Sequence, residues 1–435
     1  MKLKITLVIV FTAFALGVNA QWTTVNLSSG RSGMGAAAAN GKAVFAGGIG
    51  NISIPPAVYD MYNSFTNAWT SGSTSLGRSK VAGASTGNWM MFAGGANDWI
   101  LSEYDRVDKY NALTGQWSNS NSLSVPRAGI SGAGALNKIV FAGGSSGMGQ
   151  MYHNTVDIFD TTTQTWSTAA LTVAREGIAA VANGGKIFFA GGNDASTTYA
   201  TIDVYDVSTN TWTTAALSQA RTGVSAVALG SKVYFAGGLT SSNTVSKIID
   251  IYDMQSGLWA VDSLALARQL ISGGALGSKL IFAGGANASA TSGFTAVDIY
   301  DTLTGLWTTA PWVTNPYGGA SVVVGNKFIV AGGFSSGLAN ASVHIYTLTA
   351  TGLEEENPKL LSVFPNPSSG IFNIELNQTG KLQVLNVTGQ VVLDKDFDAS
   401  ENFIQIDLTQ NTKGLYLIRF TDRKNQESLV KVIVE

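Results

Sequence analysis

Val44-Phe45-Ala46-Gly47-Gly48 is the stretch that decides how this chain folds, because it keeps returning. Copies stand at Met91-Phe92-Ala93-Gly94-Gly95, at residues 141–144, 189–192, 235–238 and 282–285, and as Val330-Ala331-Gly332-Gly333. Between first glycines the steps are 47, 49, 48, 46, 47 and 48 residues. A period of that size marks stacked or radial units that bury their apolar faces only against one another.

Working outward from the diglycine, each unit holds four strand-like pieces. The first follows Arg31, Arg78, Arg127, Arg175, Arg221 or Arg268 and is crowded with Ala, Gly and Ser. A Gly or Asn turn leads to the second, such as Lys138-Ile139-Val140-Phe141-Ala142, which runs into Gly-Gly. The third reads Val156-Asp157-Ile158-Phe159-Asp160 or Ile202-Asp203-Val204-Tyr205-Asp206, and the fourth is headed by Trp69, Trp117, Trp166, Trp212, Trp259 or Trp307. Alternating apolar positions between turn residues predict antiparallel four-stranded sheets, repeated radially as propeller blades. Small first-strand residues suit the crowded axis, and the large aromatics suit the wider packing between blades. Seven diglycines predict seven blades. The last unit lacks its tryptophan, whereas Trp22 precedes Gly47 by 25 residues, the spacing of Trp69 to Gly94. Residues 21–28 are therefore expected to supply the outer strand of the seventh blade and close the ring, leaving no open edge.

The recurring order Arg-x-Gly, strand, Phe-Ala-Gly-Gly, Asp-x-Tyr-Asp, Thr-Gly, Trp resembles the kelch repeat, over residues 21–349. The resemblance implies an all-β fold: a seven-bladed kelch-type β-propeller closed by the N-terminal strand. The seventh unit departs from the pattern, with Pro316 at the arginine position, Val330 for Phe and His344 for Asp.

Composition narrows the function. Lys+Arg number 26 against Asp+Glu 28, so there is no basic surplus to neutralise a phosphate backbone, and nucleic-acid binding is not expected. There is no cysteine, and His153 and His344 are the only histidines. Disulfides and thiolate metal sites are excluded, a multi-histidine centre nearly so, and no cofactor or metal is expected. Some kelch propellers perform oxidase chemistry with a cysteine cross-linked to tyrosine, an option closed here. Residues 1–20 carry a basic head, a short apolar run and a small-residue end, the pattern of a secretory signal peptide. No later segment reaches transmembrane length, so no transmembrane segment is expected in the mature protein.

The repeat stops near residue 350. Residues 350–359 form a charged linker, and residues 360–435 alternate apolar and polar through six or seven short runs, predicting a small C-terminal β-sandwich. Phe364-Pro365-Asn366-Pro367, Gly389 in Asn386-Val387-Thr388-Gly389-Gln390, Gly414 and Tyr416 in Lys413-Gly414-Leu415-Tyr416, and Lys431 near the terminus make this segment similar to the type A C-terminal sorting domain of the type IX secretion system of Bacteroidota. That resemblance implies that the secretion machinery is a partner and that the protein is secreted or displayed at the outer-membrane surface.

Strand direction places arginine, diglycine and third-strand Asp at one end of each blade. The six arginines match six aspartates (Asp60, Asp108, Asp157, Asp203, Asp250 and Asp298), and the seventh unit lacks both together. Correlated loss predicts buried ion pairs rather than an anion site, since either member alone would be costly. Gly-Gly ends a strand without opening a helix, so it is expected to serve tight backbone passage, not phosphate binding. The fold does not demand the residues of the unlike loops, which makes them the candidates for binding: Asp98, Trp99, Glu103, Tyr104, Arg106, Tyr152, His153, Asp194, Tyr199 and Phe294, with Trp312 and Tyr317 on a blade-to-blade connection. Aromatics beside Asp, Asn and Arg suit a glycan or protein ligand on the diglycine face. The alternatives are a carbohydrate-active enzyme and a structural or adhesive scaffold. A glycoside hydrolase would need two carboxylates, from Asp98, Glu103 and Asp194, about 5 to 10 Å apart; a sugar mutarotase has no assignable motif.

Overall fold

The computed structural model describes residues 22–348 except 52, 53, 120, 121, 148, 313 and 315, and residues 361–434 except 365, 367, 377, 378, 387, 388, 399–402 and 424–426. The expected signal peptide and linker lie outside the described residues. The chain divides into two compact units, Met1–Thr349 and Ala350–Glu435.

In the first unit seven four-stranded antiparallel sheets repeat in chain order. Blade 4 shows the plan: Ala179–Asn183, Lys186–Ala190, Thr201–Asp206 and Thr211–Ala216, from inside to outside. Each first strand packs against those of its two neighbours, and Gly35–Ala39 of blade 1 meets Ala320–Val324 of blade 7, which closes the ring. The outer strand of blade 7 is Trp22–Asn26, antiparallel to Ser342–Thr347 with Trp22 opposite Tyr346.

Second strands carry runs of apolar residues because both of their faces are covered by neighbouring blades. In Lys138–Ala142 the last four residues are all buried. Aromatic rings tie blade to blade: Trp117 of blade 2 lies 4.7 Å from Tyr59 of blade 1, and Phe188 of blade 4 lies 5.9 Å from Tyr252 of blade 5.

The diglycines are where neighbouring backbones touch. The second glycine donates its N–H to the carbonyl at the next blade's arginine position, as Gly192 does to Arg221 at 3.0 Å and Gly333 to Arg31 across the closure at 2.9 Å. The first leaves no room for a side chain. At Gly191, where φ is +65°, an added Cβ would sit 2.3 Å from the Arg221 carbonyl oxygen. Gly191→Ala is therefore expected to destabilise the propeller by about 1–3 kcal/mol through left-handed strain and displaced backbone. Equal denaturation midpoints for variant and wild type would refute that role.

The second unit is a sandwich. Leu361–Phe364, Ile371–Leu376 and Phe403–Asp407 form one sheet; Val391–Phe397, Gly380–Asn386, Gly414–Asp422 and Glu427–Val434 form the other. Phe372, Ile374, Leu382, Val384, Ile418 and Phe420 are fully buried between them. Asn366 fastens the final strand, donating to the Lys431 carbonyl at 2.7 Å and accepting from the Ile433 N–H at 3.0 Å. Tyr416 is buried, with its hydroxyl donating to the Thr412 carbonyl at 2.7 Å. Gly389 and Gly414 both adopt positive φ. Phe364 ends the first strand of this sandwich; Pro365 and Pro367 lie outside the described residues.

Candidate functional site

The arginines are internal. All six are buried and each reaches its own third-strand aspartate: Arg31 with Asp60, Arg78 with Asp108 at 2.9 Å, Arg127 with Asp157 and Arg175 with Asp203 at 2.7 Å, Arg221 with Asp250, and Arg268 with Asp298 at 2.6 Å. With every guanidinium neutralised in place, the ring of cations is scaffold and presents no anion site.

The diglycine face takes its individuality from a ring just above these pairs. The residue after each arginine position bridges in β fashion to the residue after each diglycine: Ser32 to Ile49, Ser79 to Ala96, Ala128 to Ser145, Glu176 to Asn193, Thr222 to Leu239, Gln269 to Ala286, and Tyr317 to Phe334. The backbone repeats around the ring while the side chains do not.

Across blades 2 to 4 this ring opens into a cavity of about 430 Å³, lined among others by Lys80, Asp98, Glu103, Ser145, Glu176 and Asn193. Asp98 and Glu103 belong to the hairpin of blade 2 in which Ala96–Asn97 pairs with Ser102–Glu103. Lys80 pairs with Asp98 at 3.3 Å, and Glu176 accepts a hydrogen bond from Ser145 Oγ at 2.6 Å. Lys80 has φ of +54° at a position that is glycine in five of the other six blades, and Leu270 in blade 6. A side chain is thus carried where the backbone favours none.

The tip of that hairpin joins the two lining residues Asp98 and Glu103. Trp99, Ile100 and Leu101 are consecutive and each more than half exposed, and Met151 on the adjoining hairpin of blade 3 matches them. The tip is ordered by its own bonds: Asn97 Oδ1 accepts from the Trp99 N–H at 3.1 Å, and Asn97 O from the Ile100 N–H at 3.3 Å.

Several expected site residues share one structural position. The N–H groups of Tyr104, His153, Tyr199 and Phe294 each donate to the second glycine's carbonyl in their own blade, where the loop returns to the sheet. Fold therefore fixes their backbones, and only their side chains are free to specialise. His153 Nε2 lies 2.8 Å from Ser146 Oγ; burial and then Arg127 lower its pKa, against a raising effect from Glu103. Tyr152 is raised by burial, then by Glu176 and Asp194, so it stands within electrostatic reach of both. Tyr199 donates to Asp194 Oδ2 at 2.5 Å, a bond that, with the Ser196 and Thr197 N–H groups, holds the Asp194 carboxyl down at about 2. Arg106 turns away to Ser75 Oγ at 3.0 Å, and Phe294 stands half-exposed on blade 6.

Two expected surface residues prove internal. Trp312 is 3% exposed, 5.0 Å from the Trp22 ring and edge-on to His344 at 4.7 Å. Tyr317 is 4% exposed and stacks on Phe334 at 5.6 Å. Both stand on the connection from blade 6 to blade 7, which lacks the Arg–Asp pair, and the Trp312 ring packs on the His344 that replaces the aspartate. Conversely, Lys80, Glu176 and Ser145 were not singled out from sequence. For Glu176 and Ser145 the signal is positional, since the residues directly after each arginine and each diglycine vary while their neighbours repeat; Lys80 is marked by standing where five of the other six blades have glycine.

Comparison with known proteins agrees with this architecture. A family model described as the kelch motif matches residues 126–170, 174–216 and 220–261, and one described as a secretion system C-terminal sorting domain matches residues 362–435. The solved structure titled "Structure of YjhT" is similar with a TM-score of 0.52 and 16% identity, covering 64% of this chain and 97% of that one. At that identity the likeness concerns fold alone. No curated protein matches the chain significantly.

Proposed function

Because the chain is a kelch-repeat propeller protein ending in a secretion-system sorting domain, we propose that it is an extracellular binding module that docks a protein ligand on the diglycine face of blades 2 and 3. The sorting domain directs export by type IX secretion, to the cell surface or the medium. Residues 1–20 act as the signal peptide for the preceding export step. Within the propeller, the exposed run Trp99-Ile100-Leu101 with Met151 carries the reading. Contiguous large apolar side chains held out on an ordered tip cost solubility unless a partner covers them, and tryptophan is enriched among interface anchors.

A second reading is supported by Tyr152 and Tyr199 beside Glu176 and Asp194, a pairing of ring faces and carboxylates suited to sugar hydroxyls. Screening the full-length chain in parallel against a displayed-peptide library and a glycan array separates the two. The expected result is peptide capture that falls about 30-fold on Trp99→Ser, the loss of an anchor worth about 2 kcal/mol. Glycan capture without peptide capture overturns the protein reading. Peptide capture indifferent to Trp99→Ser and Ile100→Ser removes the site from this tip.

A further inference from the structure

The apolar tip does not stand alone: Asp98 and Glu103, which flank it on the same hairpin, line a cavity of opposite character. The charged residues lining that cavity are Lys80 against Asp98, Glu103 and Glu176, a formal sum of +1 − 3 = −2. Lys80 is spent on Asp98, at 3.3 Å and on the solvent side, with both side chains roughly half exposed. The guanidiniums behind the wall do not reverse the sign, since Arg78, Arg127 and Arg175 are each neutralised by Asp108, Asp157 and Asp203. Nor does the nearest histidine: His153 is held below its ordinary pKa, so it is neutral at pH 7. Asp194, close enough to act on Tyr152, adds negative charge on the blade 4 side.

We propose that the protein segment docking on Trp99, Ile100, Leu101 and Met151 places a lysine or arginine side chain in this cavity, between carboxylates of blades 2 and 4. The inference rests on the protein-docking reading above and names its chemistry. Complementary charge would steer the encounter and fix the register of the segment, while the apolar tip supplies the buried area. A cavity of about 430 Å³ accepts one long side chain, with water, far more readily than a folded loop. Inside a walled site the attraction to two or three carboxylates is screened less than on open surface. The cationic head must keep hydrogen-bond partners as it leaves water, and Glu103, Glu176, Asn193 and Ser145 offer acceptor oxygens.

The test uses the full-length chain and two displayed-peptide libraries of equal length, one containing Lys and Arg and one without them. Binders are expected from the first library only. Synthetic copies with arginine replaced by citrulline, or lysine by its Nε-acetyl form, should bind at least about 30-fold more weakly, the lower end of the cost of truncating one partner of a buried charge pair. The double variant Glu103→Gln/Glu176→Gln should bind the basic peptide with the same loss and the neutral copy with little further change, because the two changes remove one interaction. Amide for carboxylate preserves shape, and an unchanged denaturation midpoint shows that the variant is folded. Equal recovery from both libraries, or basic peptides indifferent to the Gln variant yet lost with Trp99→Ser, overturns the cationic anchor and leaves the docking reading standing. No binder from either library overturns both.

Discussion

Replacing Asp203 by alanine is expected to destabilise the propeller by about 3–5 kcal/mol, the cost of leaving one member of a buried ion pair alone. Arg175 is fully buried; its Nη2 meets Asp203 at 2.7 Å, and its Nε and Nη1 donate to the carbonyls of Gly191 and Val173 at 2.7 and 2.9 Å. Asp203 also accepts from the Thr172 N–H at 3.0 Å, so the substitution orphans a backbone donor as well as a cation. Blade 7 shows that a blade can do without the pair when both members are gone, since it holds Pro316 and His344 instead. The double variant Arg175→Met/Asp203→Leu should therefore recover most of the loss. Denaturant titration of the full-length chain, followed by tryptophan fluorescence, reads both. A single variant no worse than an exposed-surface substitution, or a double variant as damaged as the single, would show that the pair does not hold the blade.

That pairing was legible in the sequence because it is written as a correlation: six arginines, six aspartates, and a seventh unit lacking both. The ring closure was legible for a similar reason, since Trp22 stands at the same 25-residue spacing from Gly47 as Trp69 from Gly94. The candidate site was less so. Strand alternation tells which residues leave one face of a strand, but not which blades bring their loop side chains to one cavity. Asp98 and Glu103 could be named as unlike residues, whereas Glu176 follows Arg175 inside the repeat and was hidden by it. Tyr104, His153, Tyr199 and Phe294 looked unrelated because the loops that precede them share no sequence pattern, yet their N–H groups all donate to equivalent glycine carbonyls. Trp312 and Tyr317 were misplaced because nothing local marks a ring on a blade-to-blade connection as packed inside, Trp312 against His344 and Tyr317 against Phe334. The regularity of Phe-Ala-Gly-Gly therefore argued correctly for architecture, and chemistry lies in what departs from it.

The same seventh blade predicts an acid-sensitive seam. His344 is 1% exposed on the strand that pairs with both Trp22–Asn26 and Lys327–Ala331, so it sits where the two ends of the propeller chain are joined. Its Nε2 lies 3.0 Å from Thr314 Oγ1 and its Nδ1 3.4 Å from Thr24 Oγ1. No carboxylate takes part in these bonds, and burial pushes its pKa down to about 4. The native state thus favours neutral imidazole. Above pH 6.5 both folded and unfolded chains hold it neutral and stability is complete. As pH falls below 6.5 the unfolded chain gains a proton that the folded chain refuses, and the deficit grows until pH 4, reaching about 3 kcal/mol at 1.36 kcal/mol per pH unit. Asp160, Asp194 and Asp301, held at about 2, contribute fully above their ordinary value of 3.8 and fade only below it, outside this window. His153 is shifted in the same direction, so the measurement is made in a His153→Gln background. There, His344→Gln should reduce the stability difference between pH 7 and pH 4 by about 3 kcal/mol. An unchanged difference would mean that the seam tolerates the charged ring and that the Thr24 and Thr314 hydroxyls, or entering water, solvate it on protonation.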